Sequence, residues 1–151
     1  MEQRRVVITG IGTINPIGNS IEEYFRNLED GVSGADTITA FDATKFASRI
    51  ACEVKNFDPT VVFERKELRK YDRYSQFALV AATEAVEDAQ LDLEKIDLER
   101  VGVVWASGVG GMQTYYDEVM GWAGGNGTPR FSPFFVPKMI SDLAVGHISL
   151  K

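Results

Sequence analysis

An α/β arrangement is what this sequence predicts, and three observations carry it. Two β-branched runs, "RRVVITGIG" near the start and "VGVVWASGVGG" from residue 101, are each closed by glycines, as buried strands often are. A third segment, "SRIACEVKNF", alternates, with Ile50, Cys52 and Val54 on one face. Around these lie stretches with apolar residues at helical spacing, so strands alternate with helices and helices cover a sheet.

Each element follows from its residues. After the first strand, "NSIEEYFRNLEDG" places Ile21, Tyr24, Phe25 and Leu28 on one helical face, with Asn19 or Ser20 as the cap and Gly31 past the end. Residues 32–48 read as an irregular loop, and "SRIACEVKNF" as the second strand. Asp58-Pro59 opens a helical stretch that breaks near residue 71. From Tyr74, a helix puts Tyr74, Phe77, Ala78, Ala81, Ala82 and Ala85 together, and its small alanines allow close approach of another element. A polar connection leads to a buried strand at about Val101 to Ala106 and a glycine turn. "MQTYYDEVMGW" reads as a short helix and "AGGNGTPRFSPFFVP" as a loop. The last helix has Pro137 in its first turn and Ile140, Leu143, Ala144, His147 and Ile148 on one apolar face. It reaches the C-terminus without a cap, the pattern of a domain that is not finished.

Composition narrows the function. With 44% hydrophobic residues, the 151-residue chain can build a core. No apolar run is long enough to span a bilayer, and the short run after "MEQRR" does not read as a signal peptide. One cysteine excludes an internal disulfide and suits a reducing cytosol. A formal charge of −6 argues against a general nucleic-acid binder.

The chemical motifs mostly cancel. "GIGTINPIG" has Asn15 where a dinucleotide fingerprint needs glycine, and "GVGGMQ" has Gln113 there. These glycines are read instead as tight turns after strands. Cys52 is expected to point its thiol into the core, protonated and inert, and His147 to pack on the apolar face of its helix. Ser33, Ser107 and Ser132 have no assignable base, and a lone His with a distant Cys makes no metal site. No catalytic residue, metal or cofactor is expected in this chain.

One segment runs against the acidic balance. "ERKELRKYDR", residues 64–73, holds Arg65, Lys66, Arg69, Lys70 and Arg73 against Glu64, Glu67 and Asp72. On a helix, Lys66, Arg69, Lys70 and Arg73 share an arc of about 100°, with Arg65 at its edge and the acids outside it. Two readings fit: a face for docking an anionic partner, or a solvated face with local Glu–Lys and Glu–Arg pairs. Arg130, in the glycine-rich loop, is a further isolated base.

Taken together in order, "RRVVITGIGTINPIGNS", "RKELRKYDRYSQFALVAATEA", "SGVGGM" and "SPFFVPKMISDLAVGHISL" resemble the N-terminal part of a β-ketoacyl-[acyl-carrier-protein] synthase of the elongating type II kind. The resemblance covers the whole chain. It implies a thiolase-like fold, αβαβα in layers, of which residues 1–151 form an incomplete N-terminal half, and a cytoplasmic homodimer. It implies decarboxylative condensation of an acyl thioester with malonyl-carrier protein, through a Cys-His-His centre. In that family the cysteine follows a segment like "GHISL" and the histidines lie in the second half. Neither Cys52 nor His147 matches them, so the chain alone is expected to be inactive. The resemblance assigns Lys66, Arg69 and Lys70, with Arg65, Arg73 and Arg130, to docking of acidic acyl carrier protein. It assigns Val109 and Phe135, with the neighbouring Phe134, to the acyl pocket, Phe135 reaching across the dimer. The alternatives are a polyketide-type synthase, its non-catalytic chain-length partner, or a carrier-docking fragment only.

Overall fold

Ser20 decides where the first helix begins. Its hydroxyl accepts the Glu23 N–H at 3.2 Å, and the Glu23 carboxylate reaches back to the Asn19 N–H at 2.6 Å, so two donors that a helix start leaves open are satisfied. Helix α1 spans Ile21–Glu29 in the computed structural model, which describes residues 5–151. Gly31, at φ +68°, closes it, and Val32 N–H returns to the Asn27 carbonyl at 2.8 Å. The apolar face expected of α1 exists but is not covered. None of its residues is buried, and Phe25 and Leu28 are half exposed.

The segment after α1 is more ordered than a loop. Strand β1, Ala35–Thr37, pairs antiparallel with β2, Ile50–Cys52, in the register Ala35 to Cys52, Asp36 to Ala51 and Thr37 to Ile50. Beyond the ladder, the Glu53 carboxylate accepts the N–H groups of Thr39 and Ala40 and the Thr39 hydroxyl. Lys55 pairs with Asp36 at 2.6 Å. The expectation for Cys52 is corrected here: its side chain is exposed, not in a core. A two-stranded ribbon buries a face only when another layer covers it, and Ile50, on the same side, is also exposed.

Helix α2, Arg73–Asp88, carries the small-residue face that the alanines predict. Its second half receives the N-terminal segment. A Cβ on Gly10 would lie 2.2 Å from the Ala85 carbonyl oxygen, and one on Gly12 would lie 2.0 Å from that of Ala81. These glycines serve close backbone approach to the helix, rather than a tight turn. Carboxylates on the same half then take the segment's amides: Asp88 accepts Ile11 N–H at 2.8 Å, and Glu84 accepts Thr13 N–H at 2.8 Å and Ile21 N–H at 2.7 Å.

Two expected strands are not paired. Residues 5–9 and 101–106 form no ladder among the described residues, and Val6, Ile8 and Val104 are 93%, 84% and 100% exposed. A strand is defined by a partner for its N–H and C=O groups, and no described residue supplies one. The β-branched composition is right for strands, but the sheet it calls for is not formed here.

The chain divides into two compact units, one comprising residues up to Asp58 with Ala81–Leu91, the other Pro59–Val80 with Asp92–Lys151. In the second, Phe63, Ala78, Leu79, Val80 and Ala144 are buried. Helix α3, Met112–Ala123, forms as expected. The single last helix predicted from Pro137 onward is instead two: α4, Phe135–Met139, and α5, Leu143–Ser149. Ile140 between them is extended, at φ −70° and ψ 122°, and its carbonyl accepts the Tyr74 hydroxyl. His147 packs edge-on against the Tyr71 ring at 4.7 Å, and burial lowers its pKa, as suits a neutral packing histidine.

Candidate functional site

The basic segment does not form the helix on which its arc depends, although the break expected near residue 71 is present. Residues 65–67 form a turn, Leu68–Lys70 a single 3-10 turn, and Arg73 opens α2. Tyr71 breaks the run by adopting an extended conformation, φ −113° and ψ 137°, which sets its ring 4.9 Å from Phe63 and against His147. Asp72 accepts the Tyr74 N–H at 3.3 Å and so is committed to the start of α2. The 100° arc therefore does not exist. Exposure of Arg65, Lys66, Arg69, Lys70 and Arg73 survives its loss.

Their local partners are now visible. Lys66 pairs with Glu64 at 2.6 Å and Lys70 with Glu67 at 3.3 Å, so part of the positive charge is balanced within the segment. Exposed pairs of this kind contribute about 0–1 kcal/mol and exchange readily for another anion. Two arginines lie over aromatic rings. Arg73 lies 5.2 Å over Phe77, and Arg69 lies 5.9 Å over Phe134. The Gln76 amide donates to the Tyr71 carbonyl at 3.2 Å, tying the segment to α2.

The Arg69–Phe134 contact joins two sets of residues that the sequence lists separately. Phe134 precedes α4, and Phe135 begins it. Phe135 is half-buried in a row of rings, 5.6 Å from Phe131 and 6.2 Å from Tyr115, all nearly parallel. The far end of α4 meets the glycine turn that carries Val109. Gly110 sits at φ +74°, and a Cβ there would lie 2.5 Å from the Met139 carbonyl oxygen. Gly111 N–H donates to that carbonyl at 3.1 Å, and Gly110 N–H donates to Ser107 Oγ at 2.9 Å. Val109 itself is 61% exposed. Arg69, Phe134, Phe135 and the Val109 turn are thus linked through α4.

Arg130 stands apart. It lines an open cleft of about 370 Å³ that also includes Asp117, Glu118 and Trp122, so two carboxylates share its surroundings. Its loop is pinned by Ser132 N–H donating to Glu118 at 3.1 Å. Among the described residues, no group of three or more His, Cys, Asp or Glu could hold a metal ion.

Sequence reasoning missed Asp72, Tyr74 and Thr114. Asp72 was counted only as an acid lying outside the basic arc, yet its second carboxylate oxygen accepts the Thr114 hydroxyl, 42 residues on. The available signal was an aspartate directly before a helix, which marks a cap.

The chain belongs to the family described as "Beta-ketoacyl synthase, N-terminal domain", which it matches over residues 3–151. It is 43% identical over 152 residues to 3-oxoacyl-[acyl-carrier-protein] synthase 2 of Staphylococcus aureus (strain COL), covering 99% of this chain and 36% of the relative. The synthase 2 of Coxiella burnetii is 42% identical over the whole chain, again across 36% of its own length. The chain therefore spans about a third of these curated relatives. Among solved structures, a type II polyketide acyl-carrier protein in complex with its ketosynthase, bound to the hexaketide, matches with a TM-score of 0.77 at 26% identity, over 98% of this chain and 38% of that one. The fold is that of the N-terminal part of a thiolase-like ketosynthase.

Proposed function

We propose that these residues supply the carrier-docking surface and part of the acyl-pocket wall of an elongating 3-oxoacyl-[acyl-carrier-protein] synthase. The observation that carries the reading is 43% identity along 99% of the chain to a protein of that name. A polyketide-type synthase or its chain-length partner fits less well, since a type II polyketide ketosynthase is 26% identical and a ketosynthase/chain length factor 30% identical.

In this reading an acyl group passes from the carrier's thiol to a cysteine outside these residues, forming a thioester. Malonyl-carrier then loses carbon dioxide, and the carbanion that remains attacks the thioester carbonyl. The cysteine thiolate leaves, and a 3-oxoacyl carrier, two carbons longer, is released. No described residue takes part in bond making. Cys52 lies exposed on a ribbon and His147 is neutral against Tyr71, so neither is assigned a catalytic role.

What this chain contributes is recognition. Arg65, Lys66, Arg69, Lys70 and Arg73 attract an acidic carrier, with Arg130 as an outlying contact, and rim charges of this type set encounter rate and salt sensitivity. Val109, Phe134 and Phe135 line the acyl path, Phe135 doing so for the partner subunit of a homodimer. The enzyme works in the cytoplasm; among the described residues, no helix is long and apolar enough to cross a membrane.

Charge reversal tests the docking role. In the intact synthase, Lys66→Glu with Arg69→Glu should weaken carrier affinity by roughly 1–2 kcal/mol at low salt and flatten its dependence on ionic strength. Transfer rates that follow the wild-type salt curve would remove the segment from the docking surface.

A further inference from the structure

Asp72 occupies an unexpected place between the two recognition features. It belongs to the basic segment by sequence, yet its carboxylate is bonded to residues of α2 and α3. One oxygen accepts the Tyr74 N–H at 3.3 Å, at the start of α2, and the other accepts the Thr114 hydroxyl in the first turn of α3. That same oxygen lies 2.9 Å from where a Gly111 Cβ would stand. The first turn of α3 contains no acidic residue, and its cap, Gly111, offers no side chain. Asp72 supplies from a distance the negative charge that a helix start favours.

The Val109 turn is thus gripped from two sides. On one side is Asp72, which lies close to Gly111 and accepts the Thr114 hydroxyl. On the other is the backbone of residues 138–141, with the Lys138 carbonyl oxygen 2.2 Å from a Gly111 Cβ and Ser141 Cα 2.9 Å from a Gly110 Cβ. The second grip is itself tied to α2, because Tyr74 donates its hydroxyl to the Ile140 carbonyl. Burial, reinforced by Asp72 and Asp142, raises the Tyr74 pKa, so the phenol keeps the proton that it donates.

We propose that Asp72 is a positioning residue that couples the carrier-docking segment to the acyl-pocket wall, by fixing the Gly110–Gly111 turn through Thr114 and so setting where Val109 stands. The idea rests on the pocket role of Val109 given above. A segment pulled by a docked carrier moves Asp72 with it, and the turn follows through a directional hydrogen bond rather than through soft apolar contact.

The test measures kcat/KM of the intact synthase for a long and a short acyl carrier, and takes their ratio. Thr114→Val keeps the side-chain volume and removes only the hydroxyl, and Asp72→Ala removes the acceptor. Both should change the ratio by about threefold or more, and Thr114→Val, which alters no charge, should leave the salt dependence of carrier affinity unchanged. Combined, the two changes should do no more than either alone. Asp72→Asn retains an oxygen for Thr114 and should restore most of the wild-type ratio, which a merely structural loss would not allow. Should Asp72→Ala fail to fold, Thr114→Val with Asp72→Asn decides the matter. Val109→Phe serves as the reference. If it shifts the ratio while Thr114→Val does not, the positioning role is wrong and the pocket reading stands. If Val109→Phe leaves the ratio unchanged, the pocket reading fails and the positioning role fails with it. A changed salt dependence at a constant ratio would place Asp72 in docking alone and overturn the coupling.

Discussion

Val109 shows what one side chain contributes. A valine with a glycine on either side stands 61% exposed on a turn whose backbone is held by neighbouring carbonyls. In the pocket reading, that turn offers little room to retreat from a larger residue. Val109→Phe in the intact synthase should therefore cut kcat/KM for long acyl chains by roughly tenfold or more relative to short ones. Equal loss on both lengths would mean that the residue does not line the pocket. His147 makes a different prediction. Burial holds its folded pKa below the ordinary value near 6.5, so below that pH the unfolded chain binds a proton that the folded chain resists. The unfolded state then binds more protons, and stability rises with pH across this window. It is fully present above about pH 6.5 and falls as the pH drops toward the folded pKa. His147→Gln should remove that part of the slope in urea titrations at several pH values. His147 was legible in the sequence by its place on an apolar helical face, whereas the pocket role of Val109 rests on resemblance alone. Asp72 was not legible, because its partner is 42 residues away and no local pattern records such a distance.

Elements were legible where local chemistry dictates them. Ser20 and Gly31 bracket α1 as expected, since caps and left-handed glycines act within one turn. The alanine face of α2 anticipated a close neighbour, and Gly10 and Gly12 supply it. Gly12→Ala should cost roughly 1–3 kcal/mol, because the new carbon meets backbone, which cannot rotate away. Gly102→Ala, with nothing within 4 Å, should change stability by less than about 0.5 kcal/mol. Chemical denaturation of both variants compares them directly, and equal stability would deny the close approach. Glu84→Ala, which leaves the Thr13 and Ile21 amides without their acceptor, should cost about 1–3 kcal/mol for each amide that water does not reach. The basic segment misled at this scale. Its charges suit a helix, but Tyr71 is extended and packs on Phe63 and His147.

For the whole molecule, the unpaired β-branched runs dominate. Val6, Ile8 and Val104 are almost fully exposed, and their backbone finds no ladder among the described residues. In the 151-residue polypeptide, amides of residues 6–8 and 101–104 should exchange with deuterium near the unprotected rate. Those of Ala78–Ala82, inside α2, should exchange far more slowly. Strong protection of the runs would show that they find partners. The chain spans 36% of its curated relatives, and proteins of that length have more residues with which to build a sheet. Local sequence determined the α/β character, the caps of α1, the alanine face of α2 and the local excess of positive charge, because each depends on residues within a turn or two of one another. Tertiary structure alone decided that Cys52 faces solvent, that Arg69 rests on Phe134 and that Asp72 accepts the Thr114 hydroxyl. Those outcomes depend on which distant segments meet, and a contact across tens of residues is fixed by packing, which local sequence does not encode.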